Sequence, residues 1–260
     1  MELDFTDKTV VLTDGESNLG SATAFGFARE GCNLAVCCRT KEAAKYLSEK
    51  LGAMGCKNMV EGVNITDSRE MGAFVDRISK EFGSIHVWVN NAEINLSRRM
   101  MEISIEDFDV IFNNNLKSMF FASQCAMRQM IESKIKGVII KLSAYCAMIP
   151  FLPEGLYSAS KAGIGSLTRS FAAMCAPYGI RVAALAPEEA MMPNQGMTAG
   201  KADVKRRLGQ IALQRLCTPE EIADILIFLA SDRCSYITGC TIEASGGKLC
   251  VQNPAAAWIE

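Results

Sequence analysis

The sequence predicts an α/β fold in which a mostly parallel, doubly wound sheet carries helices on both faces. Three observations predict it. Short apolar, β-rich runs alternate with longer helical patterns from one end of the chain to the other, which is how successive βαβ units read. At 260 residues the chain suits one domain, spanning 1–260, whose sheet is buried on both sides. An apolar fraction of 49% supplies a large core, yet no uninterrupted apolar run is long enough to span a bilayer.

Each element has its own signal. Thr9 to Leu12 is the first strand. Ser21 to Glu30 follows as a helix with Ala22, Phe25 and Ala28 expected on its buried side, and Gly31 is placed to end it in a left-handed conformation. A strand at Asn33 to Cys38, a helix from about Lys41 to Met54, a strand at Asn58 to Val63 and a helix from about Ser68 to Phe82 repeat the pattern. Ile85 to Val89 is the fourth strand. Helical stretches near Ile105 to Ser133 and Ser158 to Ala176 flank a fifth strand at Val138 to Leu142. Arg181 to Ala186 makes a sixth, a helix spans Pro219 to Ala230, and a last strand lies near Thr241 to Ala244. The segment from about Glu188 to Leu216 lacks clean periodicity and follows a strand end, so it reads either as a substrate lid or as a surface loop.

Composition excludes several function classes. A net charge of -2 with a pI near 5.7 gives no basic footprint for nucleic acid. The N-terminus carries acids where a secretory signal needs a basic and then an apolar region, which predicts a cytoplasmic protein. The 11 cysteines show no C-x-x-C spacing and an odd total, as expected of reduced thiols. His86, the one histidine, lies in the apolar run Ile85 to Val89, where a hydrogen-bonded core or strand-edge His explains it better than a metal ligand does. No metal site is expected.

The candidate chemistry lies in Tyr157-Ser158-Ala159-Ser160-Lys161. A Tyr and a Lys four residues apart share one helix face, and the ammonium favours the phenolate. Such a Tyr can act as general acid or base. Around it stand Thr13-Asp14-Gly15-Glu16-Ser17-Asn18-Leu19-Gly20 after the first strand, Asn90-Asn91-Ala92-Glu93 after the fourth, Asn115-Leu116 on a helix and Ile180-Arg181-Val182 with Ala186-Pro187. Pro219-Glu220-Glu221-Ile222-Ala223, Phe228-Leu229-Ala230-Ser231 and Thr238-Gly239 before Gly246-Gly247 complete the set. In that order and at those distances the chain resembles the short-chain dehydrogenase/reductase family over nearly its whole length. The resemblance implies a Rossmann-type sheet of seven strands, NAD(P)(H) at its carboxyl edge, a homotetramer or dimer, and hydride transfer between the nicotinamide and a ketone or secondary alcohol. It implies Tyr157 as proton donor or acceptor, Lys161 lowering its pKa and holding the nicotinamide ribose, and Asn115 anchoring a relay water. Thr13, Gly15, Ser17, Asn18, Leu19, Gly20, Arg39, Asn64, Asn91, Ala92, Lys161 and Pro187 fall at cofactor-binding positions.

The departures from the family pattern concentrate at that cofactor site. Asp14 and Asn18 stand at two of the loop's three glycine positions, with only Gly20 in place and Gly15 one step out of register. Glu16 either deepens the negative field or points into water. Glu93 replaces the Gly that ends the fourth-strand motif, Glu188 replaces the Gly after Pro187, and Asn64 replaces an adenine-contacting Asp. The catalytic serine position holds Ala144, and Ser143, one residue early, should point to the other face of the strand. Losing one oxyanion donor commonly costs about 10² to 10³ in rate. Arg39, where a base can meet a 2'-phosphate, favours NADP(H) over NAD(H), unless it is only a solvated surface charge. Met148 to Leu152 and Met191, Met192 and Met197 suit an apolar pocket or a subunit contact. Two rival readings accompany the oxidoreductase: a degenerate structural subunit partnering an active paralogue, and a non-redox enzyme reusing Tyr157 and Lys161.

Overall fold

The computed structural model describes residues 3–150, 152, 154–188 and 208–250. Its seven strands are β1 (Thr9–Thr13), β2 (Asn33–Cys38), β3 (Asn58–Gly62), β4 (Val87–Asn90), β5 (Val138–Leu142), β6 (Arg181–Pro187) and β7 (Thr241–Ala244). They pair in the order β3-β2-β1-β4-β5-β6-β7, every pair parallel. This is the expected Rossmann-type sheet. Between the strands run α1 (Asn18–Arg29), α2 (Lys41–Ala53), α3 (Ser68–Phe82), α4 (Ile105–Phe112), α5 (Ser118–Glu132), α6 (Gly155–Cys175) and α7 (Pro219–Ala230). No helix among the described residues is long and apolar enough to cross a membrane.

Alternation along each strand divides the core. Val10, Leu12, Leu34, Val36, Val89 and Ile140 point to one face, where Phe27 of α1 and Leu226 of α7 cover them. Val11, Ala35, Trp88, Ile139 and Val182 point to the other, beneath Phe74 and Ile78 of α3, Ala126 of α5 and Phe171 of α6. Because both faces are covered, the strands read as continuous apolar runs rather than as half-polar ones.

Three element expectations need correction. Helix α1 begins at Asn18 rather than Ser21, since Ser17 caps it: Ser17 Oγ accepts from Gly20 N at 3.1 Å. Its buried face is Gly20, Thr23, Ala24 and Phe27, with Ala22, Phe25 and Ala28 only half-buried. The stretch expected as one helix from Ile105 to Ser133 is interrupted by a π-helical turn at Asn113–Lys117. Most of the expected lid, residues 189–207, and the methionines 191, 192 and 197 lie outside the described residues. His86 behaves as anticipated, its Nδ1 accepting from Thr9 N at 3.0 Å just before β4.

The strand order reverses between β1 and β4, and a ligand crevice forms at such a switch point beyond the carboxyl ends. The β1–α1 turn and the Asn90-Asn91-Ala92-Glu93 segment both sit there.

Candidate active site

The β1–α1 turn is built around Asp14. This residue takes the left-handed conformation, with φ of 59°, that a glycine would occupy at lower cost. Its carbonyl is held by Ser17 Oγ at 3.0 Å and Asn91 Nδ2 at 3.1 Å. Gly20 packs so closely on that carbonyl that a Cβ would overlap it. Gly15 is not a displaced copy of the missing glycine. It has its own reason, since a Cβ there would run into the side chains of Val36 and Leu47. Thr13 Oγ1 accepts from both Asn91 N and Ala92 N at 3.0 Å, tying the turn to the end of β4. The cradle of a helix N-terminus therefore survives without two of the usual glycines.

Each of the acidic substitutions has a basic partner nearby. Arg39 Nε donates to Glu16 Oε1 at 2.6 Å, its backbone N donates to Glu16 Oε2 at 3.2 Å, and Nε lies 3.6 Å from Asp14 Oδ1. Burial raises the pKa of Asp14, and the Arg39 charge pulls it back. Asp14 Oδ1 is buried and has no hydrogen-bond partner among the described residues. Glu188 is buried and pairs with Lys248, whose Nζ reaches both carboxylate oxygens at 3.0 Å and lies 3.8 Å above the Tyr145 ring. Glu93 meets Lys161, and the Tyr157 hydroxyl donates to Glu93 Oε2 at 3.0 Å. Each acid that replaces a glycine is thus matched by a base within the groove. The sequence reading missed Lys248, and it did not place Glu16 on Arg39 or Glu93 on the Tyr–Lys pair. The only local signal was the number of acids crowding positions where a phosphate-binding loop should be neutral.

Tyr157 and Lys161 lie on one face of α6, both buried, with Lys161 Nζ donating to Leu142 O at 2.9 Å. Burial first, and then the Glu93 charge, push the Tyr157 phenol well above its usual pKa. With the Glu93 carboxylate between Tyr157 and Lys161, the neutral phenol is the favoured form in this arrangement. Ala144 packs against Tyr157 with Cys146 and the half-buried Tyr145. The Ser143 hydroxyl is used elsewhere, its Oγ donating to Lys161 O at 3.1 Å. Asn115, fully buried in the π-helical turn, accepts from Ile94 N at 2.8 Å and donates to Ile94 O at 2.9 Å and to Ser160 Oγ at 3.1 Å. It fixes the chain immediately after Glu93.

A cavity of about 260 Å³ runs beside this cluster, lined by Asp14, Cys38, Arg39, Asn64, Ala92 and Glu93 among others. Asn64 Oδ1 closes a local turn by accepting from Thr66 N at 3.1 Å. Asn18 opens α1, Leu19 packs partly against the core under the turn, and Pro187 ends β6. Of the residues expected to bind the cofactor, Arg39, Asn64 and Ala92 line this cavity, and Asn91 and the β1–α1 turn border it through Asp14. The cavity and the α1 N-terminus fit the adenosine and pyrophosphate end of a dinucleotide, with Arg39 Nε 3.6 Å from Asp14 Oδ1 offsetting that carboxylate's charge. At the other end Glu93 already engages Lys161.

A family model described as enoyl-(acyl carrier protein) reductase matches residues 15–248. The chain is 34% identical over 243 residues to the 3-oxoacyl-(acyl-carrier-protein) reductase FabG of Staphylococcus aureus, covering 92% of this chain and 97% of that one. It is 33% identical over 249 residues to 3beta-hydroxysteroid dehydrogenase 1 of Eggerthella lenta, covering 94% of each. Among solved structures, a short-chain type dehydrogenase/reductase from Mycobacterium marinum superposes with a TM-score of 0.87 at 26% identity, over 96% of this chain and 98% of that one. None of these findings supports the reading as a structural subunit. With its seven-stranded parallel sheet and its Asn115, Tyr157 and Lys161 in place, the chain belongs to the short-chain dehydrogenase/reductase family of NAD(P)-dependent oxidoreductases.

Proposed function

We propose that the chain interconverts a ketone and a secondary alcohol, with Tyr157 passing the proton. The observation that carries this is the pairing of Tyr157 and Lys161 on one buried face of α6, at the carboxyl edge of the sheet and beside the crevice. When bound, the nicotinamide supplies or accepts the hydride. The chain's residues do the rest: the α1 N-terminus and Thr13, Asn91 and Ala92 form the cradle, and Lys161 orients the ribose. Tyr157 Oη gives a proton to the nascent alkoxide or takes one from the alcohol. Ala144 offers no hydroxyl to the oxyanion, so Tyr157 is the group available to meet it.

On the cofactor's identity, Arg39 by itself favours NADP(H). In the fold its Nε is bonded to Glu16 and faces Asp14, so a 2'-phosphate would enter a corner holding two acidic side chains against one guanidinium. A free 2'-hydroxyl instead finds acceptors there. That geometry supports NAD(H) as the preferred partner, a revision of the sequence expectation.

The exposed Met148, Ile149 and Leu152 beside the Ala144 strand end support an apolar substrate. The names of the relatives, a 3-oxoacyl reductase and a hydroxysteroid dehydrogenase, point to acyl thioesters and steroids as the first ketones to try. Exposed Ile105, Phe108 and Val110 on α4 and Phe121 on α5 support assembly into a dimer or tetramer. The 11 unpaired cysteines support a reducing compartment such as the cytoplasm.

The test is to mix the protein with a ketone panel and either NADH or NADPH and follow nicotinamide absorbance. Consumption that needs both reactants and is faster with NADH is expected. Absence of consumption with either nucleotide would overturn the assignment, and faster consumption with NADPH would overturn the cofactor preference.

A further inference from the structure

Glu93 joins the two halves of the site. The segment that carries it is fixed on both sides: Ala92 N donates to Thr13 Oγ1 at 3.0 Å, and Ile94 is clamped by Asn115 through its N–H and its carbonyl at 2.8 and 2.9 Å. From that backbone the carboxylate reaches the Tyr157 hydroxyl at 3.0 Å and the Lys161 ammonium, while the same side chain lines the cavity shared with Asp14 and Arg39. Lys161 is fully buried, and one of its three N–H donors goes to Leu142 O at 2.9 Å. A buried ammonium requires a counter-charge, and Glu93 provides it. The carboxylate takes a second of those donors and stands between the ammonium and the Tyr157 hydroxyl, where a ligand hydroxyl would approach.

Building on the reading of the crevice as a dinucleotide site, we propose that Glu93 is an internal occupant of its ribose end. The carboxylate must leave Lys161 before the hydroxyls of a nicotinamide ribose reach that ammonium. Glu93 thus weighs most on the part of the ligand beyond the pyrophosphate and less on the adenosine end, whose cavity it also borders. Its side chain is 41% exposed, so it has solvent to swing into. The apparent dissociation constant rises by the inverse of the fraction of molecules with the carboxylate swung out, so a fraction of roughly one in ten to one in a hundred weakens binding about 10- to 100-fold.

The experiment is calorimetric titration of ADP and of NADH into the wild-type protein, Glu93→Gly and Glu93→Gln, with thermal midpoints confirming that all three are folded. ADP spans the adenosine and pyrophosphate positions and stops short of Lys161. The proposal predicts NADH binding about tenfold or more tighter in the variants, a gain well beyond any gain in ADP affinity. A gain in Glu93→Gly alone still supports it and assigns the obstruction to side-chain volume rather than charge. Unchanged NADH affinity beside normal ADP binding overturns the proposal and leaves the crevice reading standing. Equal gains for ADP and NADH also overturn it, because they would mark a general charge effect. Failure of ADP to bind any of the three removes the crevice reading and the proposal together.

Discussion

Lys141 shows how a single residue can carry a penalty that local sequence does not display. It sits in β5 with its side chain fully buried on the α6 side, its Nζ 3.9 Å above the Phe171 ring and without a hydrogen-bond partner among the described residues. Burial pushes its pKa down to about 7. The unfolded chain binds this proton more tightly than the folded one. The stability tied to the group is therefore full above the ordinary lysine range and is lost progressively as pH falls from about 10.5 towards 7. Lys141→Met keeps the length of the stem and removes the charge. It should raise stability at neutral pH by on the order of 1 to 3 kcal/mol and flatten the pH dependence across that window, as read by denaturant unfolding at pH 7 and pH 9.5. An unchanged pH profile would refute the assignment. Sequence pattern could not single out this lysine, because a strand covered on both faces has no polar side from which a misplaced charge would stand out. Asp14 was legible as a departure, whereas its positive φ and its burial beside Arg39 came only from the fold.

At the scale of the element, the β1–α1 turn is held by a network that the family pattern would have assigned to glycines. Ser17 Oγ caps Gly20 N, donates to the Asp14 carbonyl and lies 3.2 Å from Asn91 Nδ2. Ser17→Ala removes the cap and leaves the Asp14 carbonyl with Asn91 alone. A loss of about 1 to 2 kcal/mol is expected by chemical denaturation. A loss below about 0.3 kcal/mol would show that the turn is held by other contacts. Strand and helix alternation was readable because periodicity is local. The π-helical turn at Asn115 was not, since its cause is a side chain bonded to the backbone of Ile94, 21 residues earlier. The buried face of α1 was misplaced for a related reason. Gly20 and Thr23 face the core there, and a reading that weighs only large apolar side chains passes over them.

For the whole molecule, the small net charge of -2 hides a groove rich in charge of both signs. Glu16 meets Arg39 across 23 positions, Glu93 meets Tyr157 across 64 and Glu188 meets Lys248 across 60. Each acid was visible in the sequence as an intruder in a phosphate-binding site. Its partner was not, because only the strand order brings the carboxyl ends of β1, β2, β4 and β6 together. A ligand entering the groove therefore has to break or share such pairs. Family, fold and the placing of Tyr157 and Lys161 on one helix face were therefore legible in the sequence, and the electrostatic character of the groove was not.

On the proposed mechanism Tyr157 handles the proton although Glu93 accepts from its hydroxyl in the fold. The most direct measurement is turnover of a ketone by wild type and Tyr157→Phe at the same saturating NADH, with thermal midpoints to show that the variant is folded. The account predicts a loss of about 10² to 10⁴ in kcat for Tyr157→Phe. A folded variant that turns over at the wild-type rate would contradict it.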